Sequence, residues 1–126
     1  MSALSDYAEN KLLDHILRNS AFTQPTALYV ALYTSATDDT TGGTEVAGGS
    51  YTRQTAAFTA AAAGLADNSA AINFAGMPAA TVTHVAICDA LTAGNRLFHG
   101  ALASAQVVVA GNTFTFAIGS LDLSLA

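Results

Sequence analysis

Charge and cysteine are scarce in this chain of 126 residues, which has no tryptophan, and the first two shortages each exclude something. Only 10% of the residues are charged, against about 25% in an ordinary soluble domain. A surface so poor in charge implies that other subunits cover part of it. The four basic residues, Lys11, Arg18, Arg53 and Arg96, are scattered. They form no basic stripe for neutralising phosphates, so nucleic acid is not an expected partner. The single cysteine, Cys88, excludes an internal disulfide framework and a thiolate metal cluster. No apolar run reaches the roughly 18 residues of a membrane-spanning helix, so no membrane partner is expected either. No basic, apolar leader opens the sequence, which reads as a protein made and folded in a cytoplasm. Internal repeats, a heptad seam and a linker are all missing, and the length suits one domain over residues 1 to 126.

What is present is small and apolar. Hydrophobic residues make up 52% of the chain, yet 28 residues are alanine, which packs backbones closely but buries little area per side chain. "LSDYAENKLLDHILRNS" has the 3.6-residue period of an amphipathic helix, expected over residues 4 to 19. Leu12, Leu13, Ile16 and Leu17 share one side of it, opposite Asn10, Lys11, Asp14, His15 and Arg18. Ser2, Ser5 or Asp6 could cap its start, and Asp6 with Glu9 suits a capping box. Beyond Pro25 the period becomes 2. "TALYVALYTS" sets Leu28, Val30 and Leu32 against Tyr29, Ala31 and Tyr33. A long polar loop follows over residues 36 to 50, then strand patterns in "SYTRQTAAFTA", "AAINFA", "TVTHVAICDA", "RLFHGALA", "AQVVVA", "TFTFAIG" and "SLDLSLA". "AAAAGLADNS" reads as a short helical turn or a loop, and a loop is favoured because Gly64 and "DNS" break it. Gly111-Asn112 between two strand patterns reads as a tight hairpin. The sum is a mainly β domain over residues 26 to 125, an antiparallel sandwich or barrel of about seven short strands, with one N-terminal helix packed on it.

Chemistry finds little foothold. Asp38, Asp39 and Glu45 offer hard oxygen ligands in the loop, but the spacing is not that of a calcium-binding loop, and a solvated acidic loop explains them as well. His84 and Cys88 lie about 13 Å apart on one extended strand, too far for a nucleophile pair. Cys88 is expected to be a small buried hydrophobe. His15 and His99 have no carboxylate at a useful sequence spacing. No phosphate loop, dinucleotide-binding glycine pattern or nucleophile elbow occurs. No catalytic residue and no cofactor is expected. Tyr29, Tyr33 and Tyr51 could form a partner surface or edge the core with bonded hydroxyls. Arg53 could pair with Glu45 or Asp39 and pin the loop, or bridge to a neighbour.

Taken together, "LSDYAENKLLDHILRN", "ALYVALYTS", "GTEVAGGSYTRQ", "INFAG", "VTHVAICDA", "NRLFHGAL" and "GNTFTFAIGSLDLSL" resemble a family of small tailed-bacteriophage virion proteins. Members are labelled tail fibre proteins and in some phages are placed as capsid decoration, or cement, proteins. The resemblance runs over nearly the whole chain, and "GTEVAGGSYTRQ" and "NRLFHGAL" are its most specific pieces. It implies a structural protein of the virion, made in a bacterial cytoplasm, without catalytic residues. Because a fibre shaft is long and repetitive, the compact chain suits decoration of the capsid surface first. Its partners would then be the major capsid protein and further copies of itself, a homotrimer matching the local threefold positions of a shell. The alternative is a tail fibre, tail-tip or adaptor protein that contacts the host receptor and other tail proteins, with its tyrosines as stacking platforms for a glycan. Candidate contacts are Asp38, Asp39, Glu45, Tyr51, Arg53, Tyr29 and Tyr33. The glycines of residues 42 to 49 are expected to hinge a surface loop that a neighbouring subunit orders. The leucine face of the helix is expected in the domain's own core, or else laid as an arm on a neighbour.

Overall fold

A computed structural model describes residues 3–125. In chain order these form β1 (Ala3–Leu4), α1 (Asp6–Leu17), β2 (Leu28–Tyr33), β3 (Gln54–Ala56), β4 (Leu65–Asp67), β5 (Ile72–Phe74), β6 (Ala80–Cys88), β7 (Arg96–Val108), β8 (Phe114–Phe116) and β9 (Asp122–Ser124). The fold is mainly antiparallel β with one N-terminal helix. One sheet runs in the order β1-β7-β6-β2-β3, and two ribbons pair β4 with β9 and β5 with β8. The core lies between the sheet and the ribbons. Val30 and Leu32 of β2 and Val82, Val85 and Ile87 of β6 join Ile72, Phe74, Phe114, Phe116, Leu121 and Leu123 in one buried cluster. Phe74 sits at its centre, its ring 6.0 Å from Tyr51, 6.1 Å from Phe114 and 6.4 Å from Phe116. Buried Asn68 ties the two ribbons together. Its Nδ2 donates to the carbonyls of Ala70 and Ala117, and its Oδ1 accepts from the Leu121 N–H. The buried amide is thus fully satisfied, as burial of a polar group requires.

The period-2 pattern of β2 is realised as its alternation implies, with a consequence the alternation alone does not reveal. Both faces of the strand are covered. Val30 and Leu32 enter the main core, while Ala31 and Tyr33 join Ala86 and Cys88 in a second buried cluster. Cys88 is the small buried residue expected, and burial raises its thiol pKa.

Four expectations are corrected. The alanine-rich stretch is not a loop. Ala63 and Gly64 both take positive φ, 54° and 76°, and the amides of Ala62 and Leu65 each donate to the other's carbonyl. Gly64 is therefore the turn of a ribbon, not a break in the chain, because a two-residue turn of this hand needs positive φ at both positions. Second, a turn does form at Gly111-Asn112, with the Asn112 N–H donating to Val109, but no hairpin follows. The turn docks on Met77 through two backbone hydrogen bonds, and β8 pairs with β5 instead of β7. Third, the patterns "RLFHGALA" and "AQVVVA" are one strand, β7, with an interruption. Between the pairs His84↔Ala101 and Val82↔Gln106, β6 has one residue, Thr83, and β7 has four, Leu102 to Ala105. Fourth, α1 buries Ala8 and half-buries Leu12, whereas Leu13, Ile16 and Leu17 are 54%, 66% and 73% exposed. The core of this domain does not cover its leucine face. The helix is capped by Ser5, whose Oγ accepts from the Ala8 N–H. Ser2 falls outside the described residues.

Candidate functional site

The second face of the sheet carries the most concentrated chemistry in the molecule. Ala31 and Ala86 lie directly opposite one another at its centre and are wholly buried. Methyl groups there leave depth above the sheet, and two arginines occupy it. Arg53 and Arg96 have side chains only 9% and 6% exposed, so half of the chain's basic residues are withdrawn from the surface. The loop between β2 and β3 folds back over them. Its return is a backbone ladder: Thr34 N–H donates to Thr44, and Val46 N–H donates to Leu32.

Arg53 holds the second half of the loop. Its Nε and Nη2 donate to the two oxygens of Glu45 at 3.0 and 2.8 Å, a bidentate pair. Its Nη1 donates to the carbonyls of Ala90 and Ala93, each at 2.9 Å, drawing in the turn between β6 and β7. The Glu45 hydrogen bond raises the guanidinium pKa against the opposing effect of burial. Tyr51 completes the cluster. Its hydroxyl donates to Glu45 Oε2 at 2.8 Å and accepts from the Leu32 N–H at 3.0 Å. Burial pushes the phenol well above its ordinary range.

Arg96 holds the first half. Its Nη1 donates to the Asp38 carbonyl at 2.8 Å and its Nη2 to the Gly42 carbonyl at 2.9 Å, with the Asp38 carboxylate 3.7 Å away. The guanidinium lies 5.0 Å from the Tyr33 ring centroid, a cation–π contact in a desolvated place. Asp38 caps the turn that follows it, accepting from the backbone N–H groups of Thr40 and Gly42. Those bonds, Gly42 first, lower its pKa. A methyl group at Gly42 would lie 2.1 Å from Asp38 Oδ2, so a larger residue there would push the Asp38 carboxylate from its place in the cap. Asp39 turns the other way. Its Oδ1 lies 2.8 Å from His99 Nε2, while His99 Nδ1 meets the Thr37 hydroxyl at 2.9 Å. The Asp39 carbonyl accepts the Asp6 N–H, which ties the loop to the start of α1.

Of the seven residues singled out from the sequence, six meet in this assembly: Asp38, Asp39, Glu45, Tyr51, Arg53 and Tyr33. Tyr29 sits half-buried in β2, opposite Cys88. Tyr51 edges the core with its hydroxyl bonded, and Tyr33 is 5% exposed beneath Arg96. Arg53 pairs with Glu45, one of its two expected partners. The loop is held by bonds from the chain's own Arg53 and Arg96. The three acids face three different partners, and no group of three or more metal-ligating side chains is gathered among the described residues. Arg96 and His99 were missed by the sequence reading, because they approach the loop from some 60 positions away. Their signal was present, however. They are the charged and titratable members of "NRLFHGAL", and Glu45, Tyr51 and Arg53 belong to "GTEVAGGSYTRQ". The two stretches on which the resemblance rests most specifically are the two halves of one clamp.

The sequence matches the family described as Podophage GP4 fiber I protein gp80 over residues 3–124. The chain belongs to this family. It is a structural protein of the phage virion, of fibre type. No protein of curated function matches it. The family's description fits a fibre better than a decoration protein, the reverse of the order that compactness alone suggested.

Proposed function

We propose that this chain is a non-enzymatic fibre component of the virion, a compact unit at a fibre tip or at an adaptor position. The match to a fibre family over residues 3–124 carries this reading, since it spans all but the last of the described residues. The absence of any repeat supports a tip or adaptor over a shaft, because shafts lengthen by repetition. The clamped loop fits a structural role. Arg96 holds Asp38 and His99 holds Asp39 at the surface, with side chains 60% and 54% exposed. Those two carboxylates are the surface contacts of this face, and Tyr29 is a third contact at its edge.

Immunogold labelling of intact particles tests the assignment. Gold confined to the tail or its fibres is the expected result. Gold spread over the head would replace it with a decoration role on the capsid shell. A paired Asp38→Asn and Asp39→Asn substitution should leave the fold intact and reduce incorporation into particles. Unchanged incorporation would remove these carboxylates from the contact.

A further inference from the structure

Arg53 and Arg96 are both buried beneath the loop, yet their hydrogen bonding is unequal. A guanidinium carries five N–H donors. Arg53 makes four hydrogen bonds, two to Glu45 and one each to the carbonyls of Ala90 and Ala93. Arg96 makes two, both to backbone carbonyls of the loop. Its Nε is the one buried side-chain polar atom without a hydrogen-bond partner among the described residues. Folded chains leave very few buried donors unpaired, because the hydration lost on burial is not replaced. The charge of Arg96 is also incompletely met. Its ion-pair partner, Asp38 Oδ1, lies 3.7 Å away on a side chain 60% exposed, and an exposed partner offsets a charge only weakly.

Arg96 borders a cavity of about 260 Å³ between the loop and the turn that joins β6 to β7. Thr40, Thr41 and Gly43 line it from the loop and Gly94 from the turn, and Tyr33 and Arg53 also reach it. The volume falls short of the roughly 300 to 1,000 Å³ of pockets for drug-sized ligands, so an occupant is small. Glu45 is committed to Arg53 and Tyr51, and Asp38 to the amides of Thr40 and Gly42. Both carboxylates repel a second negative charge, so a singly charged anion suits the place better than a dianion. A carboxylate also matches the flat guanidinium fork, as Glu45 does on Arg53. The two threonine hydroxyls offer donors and acceptors to hydroxyl groups carried beside it.

We propose that this cavity binds a small polyhydroxy carboxylate, of the sugar-acid class, and that Arg96 is the residue that holds its charge. The inference rests on the geometry of the clamp and not on the fibre assignment, so it stands or falls separately from the position of gold on the particle.

Titration calorimetry on the full chain tests it, with glucuronate, glucose and inorganic phosphate as probes. Glucuronate should bind at one site per chain. Glucose, the same ring without the carboxylate, should bind at least about tenfold more weakly, since a hydrogen bond to a charged group is worth that much. Phosphate in its dianionic form should also bind more weakly than glucuronate. Thr41→Asp sets a carboxylate at the cavity wall on an exposed residue. It should weaken glucuronate by about tenfold or more and leave the circular dichroism spectrum unchanged. In nitrogen NMR spectra the Arg96 Nε–H signal should move when glucuronate is added, while that of Arg53, already bonded to Glu45, stays in place. Any of four results would overturn the proposal: no glucuronate binding at tens of millimolar, glucose or phosphate binding as tightly as glucuronate, a Thr41→Asp protein with wild-type affinity, or an Arg96 signal that does not move.

Discussion

On one face of the five-stranded sheet, Val30, Leu32, Val85 and Ile87 meet the aromatic rings of the β5–β8 ribbon. On the other, the alternate residues Ala31, Tyr33, Ala86 and Cys88 lie under two arginines and an acidic loop. The strands are the same, and a step of one residue changes the chemistry from dispersion and area burial to directed, charged hydrogen bonds. The two kinds of packing fail differently. Apolar burial contributes roughly in proportion to area and tolerates change in shape. A buried ion pair contributes little net stability, yet losing one partner leaves a charge without compensation. The apolar face supplies the stability of the domain, and the clamp supplies the position of its loop.

Substitutions can break this contrast at either face. Phe74→Ala removes the centre of the apolar side, and a loss of about 4 kcal/mol is expected from urea unfolding. A loss below about 1 kcal/mol would mean that the ribbons do not depend on that ring. Glu45→Ala strips Arg53 of its bidentate partner, with an expected cost of about 3 kcal/mol. Adding Arg53→Met in the same chain should recover most of that loss, since the orphaned charge goes with it. No recovery would show that Glu45 acts through Tyr51 alone. Ser5→Ala deletes the helix cap and a hydrogen bond to the Arg96 carbonyl, at about 1 kcal/mol. The smallest effects are those of pH. Asp38 is held below its ordinary value of 3.8, so its contribution is complete above that value and is lost as pH falls beneath it. The urea midpoint of wild type should therefore drop more steeply than that of Asp38→Asn as pH falls below about 4. Tyr51 is shifted the other way. Its contribution is present below the ordinary 10.0 and declines as pH rises past it, because only the unfolded chain then ionises. Tyrosinate absorbance near pH 10 should be the same in folded wild type and in folded Tyr51→Phe, since Tyr51 stays protonated there.

Local pattern carried far into this fold and stopped at identifiable places. The alternation in "LYVALY" placed Val30 and Leu32 on one side and Ala31 and Tyr33 on the other, because a strand has only two faces. The helix was legible from its period, but period names an apolar stripe and not what covers it, so Leu13, Ile16 and Leu17 were assigned to the wrong neighbour. The turn at Gly111-Asn112 was legible from its residues. The partner of Phe114–Phe116 was not, since Ile72–Phe74 lies some 40 positions earlier and competes equally well for the same edge. The Arg53–Glu45 pair was within reach because only eight positions separate the residues. The pairing of Asp39 with His99 spans 60 positions and leaves no mark on either local sequence.

The four-residue excursion in β7 has a bearing on solubility. Past Phe98 and His99, where β1 pairs with it, the outer edge of β7 runs through "GALASAQVV" without a charge or a proline. A long, flat, uncharged edge invites runaway pairing between molecules, and most proteins guard such an edge with lysine or proline. Here Leu102 to Ala105 bow out of register against the single residue Thr83, and the ladder is interrupted before it can serve as a template. The chain blunts its edge by shape where others do so by charge, and this device lets a protein with so few charged residues keep a strand of 13 residues at the rim of its sheet.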